Sequence, residues 1–302
     1  MEDGARGDSR AGAGILCGMK VLRTIADFRR ERASLGGSLA LVPTMGALHA
    51  GHVSLIHEAR KHAQKVAVTV FVNPTQFGPR EDFSRYPRPV ETDLAQCERA
   101  GVELVFNPPP EEMYRPGVPD IVVDVPALSA LLEGKHRPGH FKGVCQVVAK
   151  LFLITQPQVA VFGQKDYQQL RIITAMTEAL DFPVRIVPCP TLREPDGLAM
   201  SSRNQYLSPD ERARGLSISR ALTTAEAEFN KGVTQTNRLL TTMQHVLLDR
   251  GNLGHVPMSI DYIAAVDPAT FKHVDAVAGP TLLAIAARVG NTRLIDNLIL
   301  KG

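Results

Sequence analysis

Four cysteines in 302 residues, Cys17, Cys97, Cys145 and Cys189, lie far apart and form no Cys-x-x-Cys pair. A disulfide framework is therefore not indicated, and a reducing cytoplasm fits the chain better than secretion. Excess charge of one sign is missing too. Lys and Arg total 34 against 31 Asp and Glu, and the formal net charge of +3 is too small to argue for a nucleic acid or a membrane surface as partner. No apolar run approaches the ~20 residues needed to cross a bilayer. Internal repeats are absent, and low complexity is confined to the first residues. What remains is an ordinary globular composition, 44% hydrophobic and 22% charged, long enough for two modest domains or one large one.

Residues 1–18, MEDGARGDSRAGAGILCG, carry neither a long apolar core nor a helical stripe and read as a disordered tail. Glu2, Asp3 and Asp8 argue against a transit peptide, and Met19 marks the start of the folded chain or an alternative translation start.

The informative stretch is Leu41 to His57, LVPTMGALHAGHVSLIH. Leu39, Leu41 and Val42 end an apolar strand, Pro43 and Gly46 break the backbone, and a helical pattern begins near Gly51. A loop at a helix N-terminus presents unpaired N–H groups and partial positive charge, which suits phosphate. His49 and His52 frame that end and can donate hydrogen bonds to charge developing there. Neither a P-loop nor the dinucleotide fingerprint accounts for this turn. Metal ligation is not supported, because no Glu or Cys with ligand spacing follows the two histidines.

Downstream, apolar runs and amphipathic stretches alternate. A helix over Ala26–Leu35, a strand over Lys65–Val72, a helix over Val90–Ala100 and a strand over Val102–Phe106 begin a doubly wound parallel sheet. A helix at Val144–Ile154, a strand at Val159–Phe162, a helix to Leu180 and a strand at Val184–Val187 continue it. Between Asn107 and Lys142 the pattern loosens, with an alternating Ile121–Val125 segment and a polar turn from Glu133 to Phe141, which reads either as a lid near the ligand or as a surface excursion.

Loops after strands face the edge where open α/β sheets place their ligands. Asn73 and Gln76 follow one strand; Gly163-Gln164-Lys165-Asp166-Tyr167-Gln168-Gln169 follows another. Lys165 is a compact cation for phosphate, and Asp166 suits either a helix cap or a magnesium ion carried by a nucleotide. Ser201, Ser202 and Arg203 form a further loop able to fold over phosphates. Ser208-Pro209-Asp210-Glu211 is a capping box opening a helix to about Asn230, and a second helix spans Thr234–Asp249. Strand-like runs at Met258–Val266, Thr281–Ala287 and Arg293–Leu300 then indicate an antiparallel sheet. The expected fold is α/β: a Rossmann-like parallel-sheet domain over 19–191 with a smaller C-terminal α+β domain over 192–302.

The loops taken together resemble a known family. Pro43-Thr44-Met45-Gly46-Ala47-Leu48-His49-Ala50-Gly51-His52 resembles the His-x-Gly-His signature of the nucleotidyltransferase superfamily, in the form used by pantothenate synthetases (pantoate–β-alanine ligases). Phe71–Phe77, Tyr86-Pro87-Arg88, Phe162–Gln169 and Met200-Ser201-Ser202-Arg203-Asn204 are similar to that family's motifs in order and spacing, from about Met19 to Asp296. Ala50 stands where a Glu is frequent, and the lysines of the related Lys-Met-Ser-Lys-Ser loop are absent from Ala199–Arg203, where pantothenate synthetases usually read Met-Ser-Ser-Arg-Asn.

By this resemblance, ATP would contact Met45, Gly46, Ala47, Leu48, His49, Ala50, Gly51, His52, Gly163, Gln164, Lys165, Asp166, Leu192, Met200, Ser201, Ser202 and Arg203. Gln76 and Gln169 would hold pantoate, with Asn73 beside them. His52 would be the acid that donates to the phosphates, and His49, Lys165 and Arg203 would share the catalysis. The implied substrates are pantoate, β-alanine and ATP, with Mg²⁺ carried on the nucleotide and the enzyme a cytoplasmic homodimer. Two other functions fit parts of the pattern. An adenylyltransferase acting on a phosphorylated acceptor would need a basic acceptor pocket, whereas two glutamines suit a hydroxy acid. A nucleotide-sensing module would bind ATP without turnover.

Overall fold

The computed structural model describes residues 15, 16, 18–79, 81–249, 251 and 256–302. The β-branched runs assemble into one sheet because each can feed side chains to both of its faces. Its strands are β1 (Ile15–Leu16), β2 (Met19–Leu22), β3 (Leu39–Thr44), β4 (Lys65–Val70), β5 (Leu104–Phe106), β6 (Val159–Gly163) and β7 (Arg185–Cys189), in the order β1-β2-β5-β4-β3-β6-β7. The pairings from β2 to β7 are parallel, and β1 pairs antiparallel with β2.

The sheet thus reaches into the stretch read as a tail. Ile15 and Leu16 extend an open edge by backbone bonding, with Gly18 at φ 102° beside the reversal, a conformation glycine adopts freely. The rest of that stretch, apart from Gly18, lies outside the described residues.

Helices α1 (Ile25–Leu35), α2 (Ala50–Arg60) and α3 (Val90–Arg99) join the early strands. The loosened segment resolves into three short helical turns, α4 (Pro110–Met113), α5 (Pro126–Ser129) and α6 (Leu132–His136), while the alternating Ile121–Val125 stretch forms no strand. Helices α7 (His140–Thr155) and α8 (Tyr167–Ala179) complete this half. Alternation along β3 divides the core. Leu39 and Leu41 join Phe28, Phe152 and Ile172 on one face, and Ala40 and Val42 join Ile56, Ala59 and Cys97 on the other.

Helices α9 (Pro209–Asn230) and α10 (Thr236–Leu248) pack on a second, three-stranded antiparallel sheet, β8 (Met258–Val266), β9 (Thr281–Val289) and β10 (Thr292–Leu300), in the order β10-β9-β8. Ser208 and Glu211 form the expected capping box at the start of α9. Val266, Leu282 and Ala284 of this sheet join the core of the first half. Glu133 takes a fork of hydrogen bonds from Arg293 at 2.6 and 2.8 Å and a third from the Tyr262 hydroxyl at 2.9 Å, fastening the two halves beside that contact.

The strand order locates the site. The chain leaves β3 toward β4 and β5, then returns to β6 on the other side of β3, so the sheet's direction of winding switches between β3 and β6. Loops leaving carboxyl ends at such a point diverge and open a crevice. Here β3 and β6 pair only at Ala40–Val159 and Leu41–Ala160, whereas β3 and β4 stay paired to Thr44–Val70. Pro43, which has no N–H to give, stands just beyond the last β3–β6 pair.

Candidate active site

A cavity of about 230 Å³ occupies that crevice, with Pro43, Thr44, Val161 and Phe162 among its walls. It is continuous in lining with a cleft of about 750 Å³ between the two halves; Arg137, Lys165, Asp166, Ser201 and Arg203 border both.

The His-x-Gly-His loop is built from the chain's own polar groups. His49 is the N-cap of α2, and its Nδ1 accepts the Gly51 N–H at 3.1 Å. The His49 N–H in turn donates to His52 Nδ1 at 3.3 Å, a capping box made of two imidazoles. With each Nδ1 accepting, a neutral ring carries its proton on Nε2. The rings lie 4.1 Å apart between centroids. Burial, with Lys165 next, holds His49 down to about 4, and burial, with His49 and Lys165, holds His52 down to about 3. Both are neutral donors near pH 7, so donation here means a hydrogen bond from Nε2–H. This refines the anion site expected at a bare helix end. The Gly51 and His49 N–H groups are occupied by ring nitrogens, and the rings carry the donor function outward. Gly51 is required because a Cβ there would sit 2.8 Å from the His49 ring.

Beneath the rings, the loop is held by a residue that sequence reading passed over. Asp93, in the first turn of α3 and fully buried, accepts the N–H of Ala47 at 2.9 Å and of Leu48 at 2.7 Å. Burial raises its carboxyl above the usual carboxylate value, against those two bonds. Gly46 (φ 83°) and Ala47 (φ 49°) make the left-handed turn, and a Cβ on Gly46 would meet Asp93 Oδ2 at 2.9 Å. Gly46, Ala47 and Leu48 are buried below the cavity, whereas Met45, His49, Gly51 and His52 line it; the Ala50 side chain is exposed. In sequence, Asp93 looks like any acidic residue favouring a helix N-terminus.

Gln76 also lines the cavity, on a 3₁₀ turn (Pro74–Gln76) after β4. Asn73 lines the cavity beside it, with its hydrogen-bonding capacity used within the protein. Its Nδ2 donates to Gln76 Oε1 and Gly143 O, both at 3.1 Å, while its Oδ1 accepts from the Thr75 and Tyr114 hydroxyls at 3.0 and 2.7 Å. Asn73 therefore orients Gln76. The close approach of α7 depends on Gly143, where a Cβ would lie 2.4 Å from Thr75 O.

Across the crevice, the turn Gln164–Asp166 and the first turn of α8 bring Lys165, Asp166 and Gln169 to the cavity. Asn297 of β10 pins this turn by donating to the Gln164 and Lys165 carbonyls at 3.0 and 2.8 Å, a long-range role with no local signature. Asp166 is at the N-cap of α8 but makes no side-chain capping bond, which removes one of its two expected uses.

Leu192, Met200, Ser201, Ser202 and Arg203 close the remaining side. The Tyr86 hydroxyl and Ser202 Oγ lie 3.2 Å apart. Arg203 does not project freely, because its Nε and Nη2 donate to the two oxygens of Asp82, each at 2.9 Å, over the Tyr86 ring. All five motifs singled out in the sequence, Tyr86 representing the shortest, therefore contribute residues to one cavity, with Arg203 engaged by a carboxylate of the chain itself.

The low histidine values have a consequence for stability. His49, His52 and His140, the last also held down to about 4 by burial with Arg137 next, stay neutral in the fold, while an unfolded histidine protonates near 6.5. Unfolding then takes up protons below about pH 6.5, and stability falls with falling pH from there toward about 4. The slope is on the order of 1 kcal/mol per pH unit for each ring. Glu81, Asp82 and Glu133, held low by Arg137, Arg203 and Arg293 against the effect of burial, add losses only in the more acidic carboxylate range. Thermal melts should show the midpoint dropping between pH 6.5 and 5; a flat midpoint over that interval would contradict neutral, buried rings.

Fold and site define an α/β protein of the His-x-Gly-His nucleotidyltransferase type, with an imidazole pair at the switch point facing a Lys turn and a Ser-Ser-Arg loop. Comparison with known proteins narrows this further. The model of the family described as "Pantoate-beta-alanine ligase" matches residues 20–299. A pantothenate synthetase from Acidothermus cellulolyticus is 50% identical over 92% of this chain and 90% of its own length, and one from Roseiflexus castenholzii is 49% identical over 94% and 100%. Among solved structures, pantothenate synthetase from Thermus thermophilus superposes with a TM-score of 0.87 at 43% identity, covering 93% of this chain and 99% of that one. Pantoate-beta-alanine ligase from Francisella tularensis, described as complexed with beta-gamma ATP and beta-alanine, gives 0.76 at 31% identity, covering 93% and 97%. The chain belongs to the pantoate–β-alanine ligase family and is an ATP-binding ligase of pantothenate biosynthesis.

Proposed function

We propose that this site joins pantoate to β-alanine in two steps, through a pantoyl adenylate, releasing pyrophosphate and then AMP. The observation that carries the reading is the meeting of two Nε2–H imidazole donors, Lys165, Gln76 and Gln169 in one cavity at the switch point. In the first step a pantoate carboxylate oxygen bonds to the α-phosphorus of ATP, and the bond from that phosphorus to the β-phosphate bridge breaks. Two anions must approach each other, so donors and cations matter more than a base. His49 and His52 meet the developing charge with hydrogen bonds, and Lys165 supplies positive charge. Gln76, oriented by Asn73, and Gln169 hold the hydroxy acid. In the second step the neutral amine of β-alanine attacks the acyl carbon and AMP departs.

A cavity of about 230 Å³ falls short of the usual range for drug-sized ligands, so ATP and pantoate together extend into the larger adjoining cleft. There Arg203 reaches phosphate oxygens by exchanging Asp82 for them. Among the described residues no three His, Cys, Asp or Glu side chains are grouped to hold a metal ion. Magnesium fits as cargo of the triphosphate, with the uncapped, 48% exposed Asp166 as its protein carboxylate, the sparse ligation usual for this ion. Bound there, it would neutralise phosphate charge. The Francisella tularensis relative, described as complexed with beta-gamma ATP and beta-alanine, supports ATP and β-alanine as two of the three substrates.

The deciding assay follows pyrophosphate and AMP separately. Pyrophosphate release should require pantoate, and AMP release should require β-alanine in addition. AMP released without β-alanine, or pyrophosphate release driven by a phosphorylated acceptor, would overturn the proposal. Two further parts of the reading concern the setting. Among the described residues no helix is long and apolar enough to cross a membrane, and Cys97, Cys145 and Cys189 are free and buried, which supports a cytoplasmic location, checked by cell fractionation. Val118, Ile121 and Val122, between 62% and 73% exposed in the connection between α4 and α5, support a homodimer interface, checked by sedimentation of the purified chain.

A further inference from the structure

The reaction needs a cation that the groups above do not provide. β-Alanine carries a carboxylate two methylenes from its amine, and that carboxylate must be held while the amine faces the acyl carbon beside Gln76. Lys165 and Arg203 already face the triphosphate. A third cation, Arg137, belongs to the polar turn between α6 and α7, and it borders both the small cavity and the cleft.

Arg137 is held on two sides. Its Nε and Nη2 donate to Glu81 at 2.8 and 2.7 Å, and its Nη1 lies 3.0 Å from His140 Nε2. A guanidinium can only donate, so His140 Nε2 is the acceptor and its Nδ1–H donates to the Gln76 carbonyl at 2.8 Å. The chain Glu81–Arg137–His140–Gln76 ties this cation directly to the backbone of a pantoate-binding residue. These bonds use three of the five N–H groups of a guanidinium. One N–H remains on each Nη, available to the oxygens of a carboxylate. The side chain is 16% exposed, so the pairing is poorly screened and the geometry is set before a ligand arrives. Glu81 balances the charge when the site is empty and can stay in place when it fills.

Resting on the proposed two-step reaction, we infer that Arg137 recognises the carboxylate of β-alanine, with His140 as a positioning residue that aims it at the acyl centre. The test separates the half-reactions in Arg137→Gln, in the charge-balanced double variant Glu81→Gln/Arg137→Gln, and in Arg137→Lys. Pantoyl adenylate formation, read as the pyrophosphate burst without β-alanine, should stay within a fewfold of the parent protein in all three. KM for β-alanine should rise roughly 30- to 100-fold in the two Gln variants, about what a lost charge-assisted fork is worth, and less in Arg137→Lys. The uncharged amine 3-aminopropanamide provides the second readout. Its kcat/KM should be nearly unchanged, so that preference for β-alanine over the amide collapses, which a merely structural role would not produce.

An unchanged KM for β-alanine, or an equal loss with both amines, would overturn the assignment. So would loss of the pyrophosphate burst in folded variants, since Arg137 would then serve the first step. Failure of the parent protein to release pyrophosphate with pantoate and ATP would instead count against the two-step reaction itself.

Discussion

His52→Ala should slow formation of pantoyl adenylate by about 10²- to 10³-fold, the cost of removing one preorganised donor from a site where charge develops. Two losses compete in this variant. The Nε2–H toward the phosphates disappears, worth ~2.7–4 kcal/mol. The His49 N–H also loses its Nδ1 acceptor, which costs on the order of 1 kcal/mol where water can enter to replace it. The first is larger, so activity should suffer far more than stability. Rapid-quench measurement of the adenylate, beside a thermal melt, separates the two. A near-normal rate of adenylate formation would show that the imidazole is not the donor, whatever its position in the cavity. The neutrality of the ring adds a second expectation. Since His52 is held down to about 3, the rate of adenylation by the free enzyme should show no ionisation near 6.5, where an ordinary histidine would titrate.

Asp93→Ala should have the largest effect on stability together with a clear effect on activity. The buried Ala47 and Leu48 N–H groups would lose their acceptor, at ~1–3 kcal/mol each. Removing a carboxylate that burial already disfavours returns part of this. The net loss is about 3 kcal/mol, which for a chain of 302 residues lowers the melting midpoint by roughly 5 °C. The left-handed backbone at Ala47 persists because its surroundings over-determine it, and Asp93 is the principal restraint. Once released, the loop no longer presents His49 and His52 from one rigid base, and adenylation should fall at least about tenfold. Asp93→Asn keeps one acceptor oxygen and should fall between the variant and the parent protein. A melting midpoint within a degree of the parent, with an unaltered adenylation rate, would refute the brace.

Both predictions concern the loop that carries His49 and His52, and the two substituted residues differ in how visible they were beforehand. Histidines flanking a strand-to-helix break announce themselves, because imidazoles, glycine and proline are chemically conspicuous at that spacing. Asp93 does not, since an acid in a first helical turn has an ordinary local explanation. Asn73 was conspicuous as an Asn-Pro after a buried strand, and it does line the cavity, but the four hydrogen bonds by which it orients Gln76 became visible only in the fold. Asp166 offered two local readings, and only the missing capping bond chose between them. Arg137 and His140 lay in a polar turn that read equally as a lid near the ligand or as a surface excursion, because their partners Glu81 and Gln76 are more than fifty residues away.

What the amino-acid sequence determined by itself was whatever depends on near neighbours: the two-faced strands, the capping box at Ser208, the loops that carry donors and cations, and through those motifs the family. Tertiary structure decided which of those donors remain available. It set the switch point that gathers four loops, the burial that keeps three imidazoles uncharged, and the pairing of Arg203 with Asp82 and of Arg137 with Glu81. The physical reason is that protonation and pairing depend on solvent exclusion and on charges brought close through folding. Neither quantity exists until segments distant along the chain have packed together.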